Sequence, residues 1–124
     1  MTGPDAVVDE AVLEELRGSV GGDRSFVLEL IEAYLADGAA YVDAIASAVD
    51  QADAEALVRP AHTLKSSSAT LGATRVATLA RELEMIGRTG TVGEAGHGLV
   101  ARVRAAWPTT AAALRAWAAR VGAE

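Results

Sequence analysis

Apolar residues return along this chain at steps of three and four, the spacing of one face of a helix, and they fall into five successive phases. Val8, Val12, Leu13 and Leu16 form the first, ended by Gly18, Gly21 and Gly22, and predict a short opening helix. Beyond Asp23 or Ser25 as a cap, Val27, Leu30, Ile31, Tyr34, Tyr41, Val42, Ile45 and Val49 keep the helical period across Gly38. A single glycine costs a helix about 1 kcal/mol relative to alanine, so this stretch reads as one long helix weakened at Gly38 or as two nearly coaxial ones. From Asp53 a new stripe runs through Leu57, Ala61, Leu64, Ser68 and Leu71, and Gly72 ends it. Thr74 can cap the next helix, whose inward residues are Val76, Leu79, Leu83 and Ile86. Gly87 and Gly90 then open a glycine-rich loop that reaches Gly98. The last phase, Val100, Val103, Trp107, Leu114, Trp117 and Val121, holds its register on both sides of Pro108, which should kink the helix without ending it.

Long amphipathic segments joined by short turns predict an all-α fold, an up-and-down four-helix bundle with a short additional N-terminal helix. Composition sharpens this: 51% of residues are apolar but only 4% aromatic, which suits helices with closely spaced axes. Two cores in 124 residues would leave each near the lower size limit for stable folding, so residues 1–124 are expected to form a single domain. Such a bundle carries cofactors, metals or plain binding surfaces equally well, and function has to come from particular side chains.

Charge and residue usage remove several classes of function. A formal charge of -6, with pI near 4.9, opposes binding to a phosphate backbone, so nucleic acid is not an expected partner. The absence of cysteine removes disulfides and thiolate metal sites. The start, MTGPDAVVDEAV, is acidic and lacks the basic end and apolar run of a secretion signal, and no apolar stretch approaches the roughly 20 residues that span a bilayer. A soluble cytoplasmic protein without membrane contact is expected.

The candidate chemistry sits on the third helix. At about 100° per residue, His62 lies roughly 140° from Leu57, toward solvent. Three- and four-residue steps place Val58, Lys65, Ser66, Ala69 and, at the helix end, Ala73 on the same surface. Ten of the eleven basic residues are arginine, which makes Lys65 the single lysine. These positions describe an imidazole on a low, mostly uncharged floor with one ammonium a turn away. An imidazole in water is mostly neutral at pH 7, so one ring nitrogen keeps a lone pair that can attack phosphorus without an activating base. Phosphoryl transfer demands mainly positioning and charge neutralisation, which a nearby lysine can supply.

The stretch AHTLKSSSATLGATRVATLARELEMIGRTG resembles the signature of histidine phosphotransfer domains of multistep two-component phosphorelays. The resemblance is carried by His62 and Lys65 at His-x-x-Lys spacing, the small Ser66, the Leu71-Gly72-Ala73 turn, Leu83-Glu84 and Arg88-x-Gly90. It implies a phosphocarrier that takes a phosphoryl group on His62 from a receiver-domain aspartate and passes it to another receiver. It also implies that Lys65 steadies that group, and that Val58, Ser66, Ala69 and Ala73 form the docking surface. Receiver domains and a hybrid histidine kinase are the implied partners of a monomeric carrier with no ATP-binding part and no cofactor of its own, magnesium coming from the receiver. Two departures stand out: many members have glycine where Ser66 stands, and Pro60, two residues before His62, should bend or restart the helix.

The remaining candidates have plainer readings. Ser66, Ser67 and Ser68 have no discernible base and acid around them and serve packing and partner clearance. His97 in Gly-His-Gly reads as a turn residue, since two histidines without cysteine make a poor metal site. Trp107 and Trp117 share the inner face of the last helix and read as core. Competing functions are the phosphoacceptor domain of a chemotaxis-type kinase, the histidine-bearing segment of a sensor kinase, or a helical adaptor without chemistry. In the sensor-kinase segment an acidic residue and a Thr-Pro pair usually follow the histidine, where this chain has Thr63.

Overall fold

The computed structural model describes residues 7–124; the first half of the acidic opening, residues 1–6, lies outside it. Five helices make up the described chain: α1 (Glu10–Ser19), α2 (Arg24–Asp50), α3 (Ala54–Thr70), α4 (Thr74–Thr89) and α5 (Gly93–Gly122). Aspartates begin the first three, since Asp9, Asp23 and Asp53 each accept hydrogen bonds from backbone amides of the following turn. Thr74 does not cap α4. Ala73 occupies the cap position, and the Thr74 hydroxyl instead donates to the carbonyl of Gly72.

Three-residue turns separate α2 from α3, α3 from α4 and α4 from α5, so successive helices run antiparallel. Contacts between α2 and α3, α3 and α4, α4 and α5, and α5 and α2 close a four-membered ring, with α3 and α4 packed most extensively. The expected four-helix bundle with an extra N-terminal helix is therefore the observed one. Its interior holds Ile45, Leu57, Leu64, Val76, Leu83, Val103, Leu114 and Trp117, all fully buried. Apolar burial of this kind supplies most of the stability, at about 25 cal/mol per Å².

The glycine-rich loop expected between Gly87 and Gly98 does not form. Gly87 lies inside α4, the turn is Gly90 to Val92, and Gly96, His97 and Gly98 belong to α5. A Cβ on Gly87 would lie 2.9 Å from Val58 Cγ2 and 3.0 Å from the Ala54 carbonyl oxygen, and one on Gly96 would lie 2.7 Å from Val92 Cγ1. These glycines let neighbouring atoms come close, and the helix survives them. Pro60 and Pro108 are likewise absorbed: α3 runs through the first and α5 through the second.

Gly38 has the same explanation in α2, which is a single helix. A Cβ there would lie 2.1 Å from the far edge of the Trp107 ring, which also packs on Tyr34 with centroids 5.3 Å apart. The glycine is a notch for an indole. Gly38→Ala should therefore destabilise the protein by about 2 kcal/mol through overpacking. In a Trp107→Ala background the same change should stabilise by roughly 1 kcal/mol, the ordinary helix preference for alanine. Urea unfolding of the four proteins tests the reversal of sign; a loss of equal size in both backgrounds would assign another role to Gly38.

Candidate functional site

The buried stripe of α3 determines where its other face points. Leu57, Ala61, Leu64 and Ser68 are fully or nearly fully buried, with the Ser68 hydroxyl hydrogen-bonded to the Tyr34 hydroxyl at 2.6 Å. His62 accordingly emerges at the surface, its side chain 53% exposed, on the side of α3 that faces α4. The close approach at Gly87 holds that side of α3 against α4.

Across the seam stands Glu84, a carboxylate only 7% exposed, and three basic groups converge on it. His62 Nδ1 lies 3.1 Å from Glu84 Oε2, and Lys65 Nζ lies 2.6 Å from Oε1. Arg88, one turn along α4, donates from Nε at 2.9 Å and from its terminal nitrogen at 2.7 Å, both to Oε2. A buried acid needs such partners, because desolvation of an unpaired charge is costly. Lys65 and then Arg88 and His62 favour the charged form strongly enough to overcome desolvation, and they hold Glu84 down to about 2 from an ordinary 4.5.

An ionised carboxylate can only accept hydrogen bonds, so the nitrogen facing it, Nδ1, must carry the proton. In the neutral imidazole the lone pair then belongs to Nε2, the nitrogen away from Glu84. The cluster thus fixes the tautomer, limits rotation of the ring and keeps two cations beside a half-exposed imidazole.

The lowered Glu84 pKa also ties stability to pH. The folded-state value lies below the unfolded one, so the contribution is complete above about pH 4.5 and disappears as pH falls toward 2. Allowing for solvent screening at partly exposed Lys65 and Arg88, about 2 kcal/mol should be lost across that window. Urea unfolding at neutral and acid pH should show this loss in the parent and not in Glu84→Gln; equal losses would mean that other carboxylates dominate acid unfolding.

The surface inferred from the helical wheel is only partly present. Ser66 and Ala69 are exposed beyond His62, while Val58 is half-buried against Gly87. Ala73 is fully buried and must be removed from the docking surface. Its place on the wheel extended α3 past its end, whereas the chain has already turned into the cap of α4. The floor beside His62 is not mostly uncharged either, since Glu84 and Arg88 flank it. Glu84 had a visible signal: with Ala80, Leu83 and Gly87 it forms a three- and four-step set, a glutamate on a buried face. His97 is exposed on α5 and is no party to the hydrogen bonds and ion pairs of this cluster.

The Hpt domain model matches residues 29–121. Among solved structures, histidine-containing phosphotransfer protein B from Pseudomonas aeruginosa is similar at a TM-score of 0.82 and 22% identity, over 94% of this chain and 97% of that one. The HPT domain of a sensor hybrid histidine kinase from Shewanella is similar at a TM-score of 0.63 and 17% identity, over 82% of this chain and 91% of that one. No curated protein matches the chain.

Proposed function

Because the chain belongs to the Hpt domain family, and so is a phosphocarrier of phosphorelays, we propose that His62 is its phosphoacceptor. The single observation carrying this assignment is the contact of His62 Nδ1 with the ionised Glu84, which leaves the Nε2 lone pair for attack. That lone pair displaces the carboxylate of a receiver's aspartyl phosphate: the N–P bond forms, the P–O bond breaks, and the reverse steps deliver the group to a second receiver. Little covalent work falls to other side chains, as positioning and charge neutralisation account for most of phosphoryl transfer.

Lys65, 31% exposed and one turn from His62, is the cation that steadies the moving phosphoryl oxygens. Exposed Ser66 and Ala69, with the open edge of Val58, form the surface on which a receiver settles. We read residues 1–124 as one such domain, a monomeric cytoplasmic carrier that serves receivers and a hybrid histidine kinase. Its formal charge of -6 opposes a nucleic-acid partner. No helix among the described residues is long and apolar enough to cross a membrane. Magnesium is proposed to come with the receiver's aspartate site, as the family resemblance implies.

Incubation with a panel of phosphorylated receiver domains, followed by detection of acid-labile phosphate on this chain, tests the proposal. Transfer supports it; the absence of uptake from every receiver and from a small-molecule phosphoramidate donor would favour a passive adaptor. Within the same assay, Lys65→Ala should slow transfer in both directions by about tenfold to a hundredfold, with receiver affinity nearly unchanged. Rapid-quench rates and calorimetry separate the two quantities, and a loss confined to affinity would make Lys65 a docking residue.

A further inference from the structure

Resting on His62 as phosphoacceptor, we propose that Glu84 keeps the Nδ1 proton in place throughout the phosphorylated state, so that onward transfer releases a neutral imidazole and not an imidazolate. Phosphorylation at Nε2 leaves the ring with a proton on Nδ1 and phosphorus on Nε2, and hence with a positive charge. An imidazole so substituted readily loses that proton to water, and the neutral phosphohistidine that results is the poorer donor, since its leaving group would be an anion. Glu84 opposes the loss. Its Oε2 lies 3.1 Å from Nδ1, on the buried side of the ring, and the carboxylate is 7% exposed, so the ion pair it makes with the charged ring is weakly screened.

Three basic side chains meet at this acid. From α3 come His62 and Lys65 and from α4 comes Arg88; among the described residues α5, the other helix packed on α4, supplies Glu84 with no hydrogen bond or ion pair. Lys65 and Arg88 keep the carboxylate charged when the site is empty. Their repulsion of the ring cation is offset once the phosphoryl oxygens arrive beside them.

The full cycle then moves no proton. On loading, the Nε2 pair forms the N–P bond and the receiver carboxylate takes the pair of the broken P–O bond. On unloading, the N–P pair returns to Nε2 and the ring is restored with Nδ1–H still against Glu84. Glu84 is in this sense a positioning residue for a proton: it touches neither phosphorus nor the incoming aspartate.

The test uses the parent and Glu84→Gln, both phosphorylated with phosphoramidate and passed to the same receiver in single-turnover reactions from about pH 5.5 to 9, a range that brackets ordinary histidine titration. The ratio of parent to variant rates cancels the receiver's own pH dependence. It should rise above the ordinary histidine range, near 6.5, approaching about tenfold per pH unit while the variant's ring deprotonates and the parent's does not. A ratio that stays constant overturns the inference. A merely structural role for Glu84 would lower the variant's rate equally at all pH values. The parent alone gives a second reading: nuclear magnetic resonance of the phosphorylated ring nitrogens and phosphorus should show no midpoint in the ordinary histidine range, and one near 6.5 overturns the inference. Uptake at a residue other than His62 overturns the acceptor assignment and this inference with it, whereas uptake at His62 with a constant ratio overturns this inference alone.

Discussion

His62→Gln is expected to reduce uptake of acid-labile phosphate to background while leaving the helical bundle folded. Glutamine has no nitrogen lone pair capable of attacking phosphorus, and nothing else beside the site supplies one: Lys65 and Arg88 are engaged with Glu84 as cations. Stability should change by only about 1 kcal/mol, because the side chain is half exposed and Lys65 and Arg88 still neutralise the buried acid. His97→Gln, on the exposed face of α5, is the control and should leave uptake unchanged. Phosphate retained by His62→Gln, or lost in His97→Gln, would move the acceptor elsewhere.

The largest effect on stability is expected at Gly72. Its φ of 72° is a left-handed conformation that costs an L side chain about 1–2 kcal/mol, and a Cβ there would lie 2.5 Å from the carbonyl oxygen of Asp9. That obstacle is backbone, fixed by the hydrogen bond from the Asp9 amide to the Gly72 carbonyl at 2.7 Å. Gly72→Ala should therefore cost about 3 kcal/mol, the conformational penalty and the displacement of α1 together, and lower the thermal midpoint by roughly 10 °C. Gly90→Ala separates the two contributions. Its φ is 85° but nothing lies within 4 Å of the added atom, so only about 1 kcal/mol should be lost. Thermal unfolding followed by circular dichroism measures both, and equal losses would show that the contact with Asp9 carries no weight.

The helices were legible because apolar period is a local property. The stripe from Leu57 to Leu71 and the cap at Asp23 needed nothing from the rest of the chain. What misled was glycine, whose two uses look alike in one dimension. Gly72 and Gly90 end helices with positive φ, whereas Gly38, Gly87 and Gly96 sit inside helices because Trp107, Val58 and Val92 press against them. Only the packed neighbours distinguish these cases. His62 and Lys65 were legible for the same local reason, both on the outer arc of one helix. Ala73 was misplaced because a helical wheel continues past a turn that the chain does not. Glu84 went unassigned because two of its three partners, His62 and Lys65, lie on α3: a buried acid is meaningful only once the groups that neutralise it are known, and His62 stands 22 positions earlier.

The single lysine has an analytical use beyond its chemistry. Reagents that acylate primary amines find one ε-amino group in the entire chain, and it is engaged with the Glu84 carboxylate inside the site. The extent of its acylation, read as one mass increment on one tryptic peptide, therefore reports whether that amine is held by Glu84, drawn to a phosphoryl group or covered by a docked receiver. Arginine at every other basic position leaves the remaining side chains silent to the reagent, and the α-amine falls on a different tryptic peptide. A site occupied by charge exchange can in this way be followed in an unlabelled protein, with no probe attached and no residue replaced.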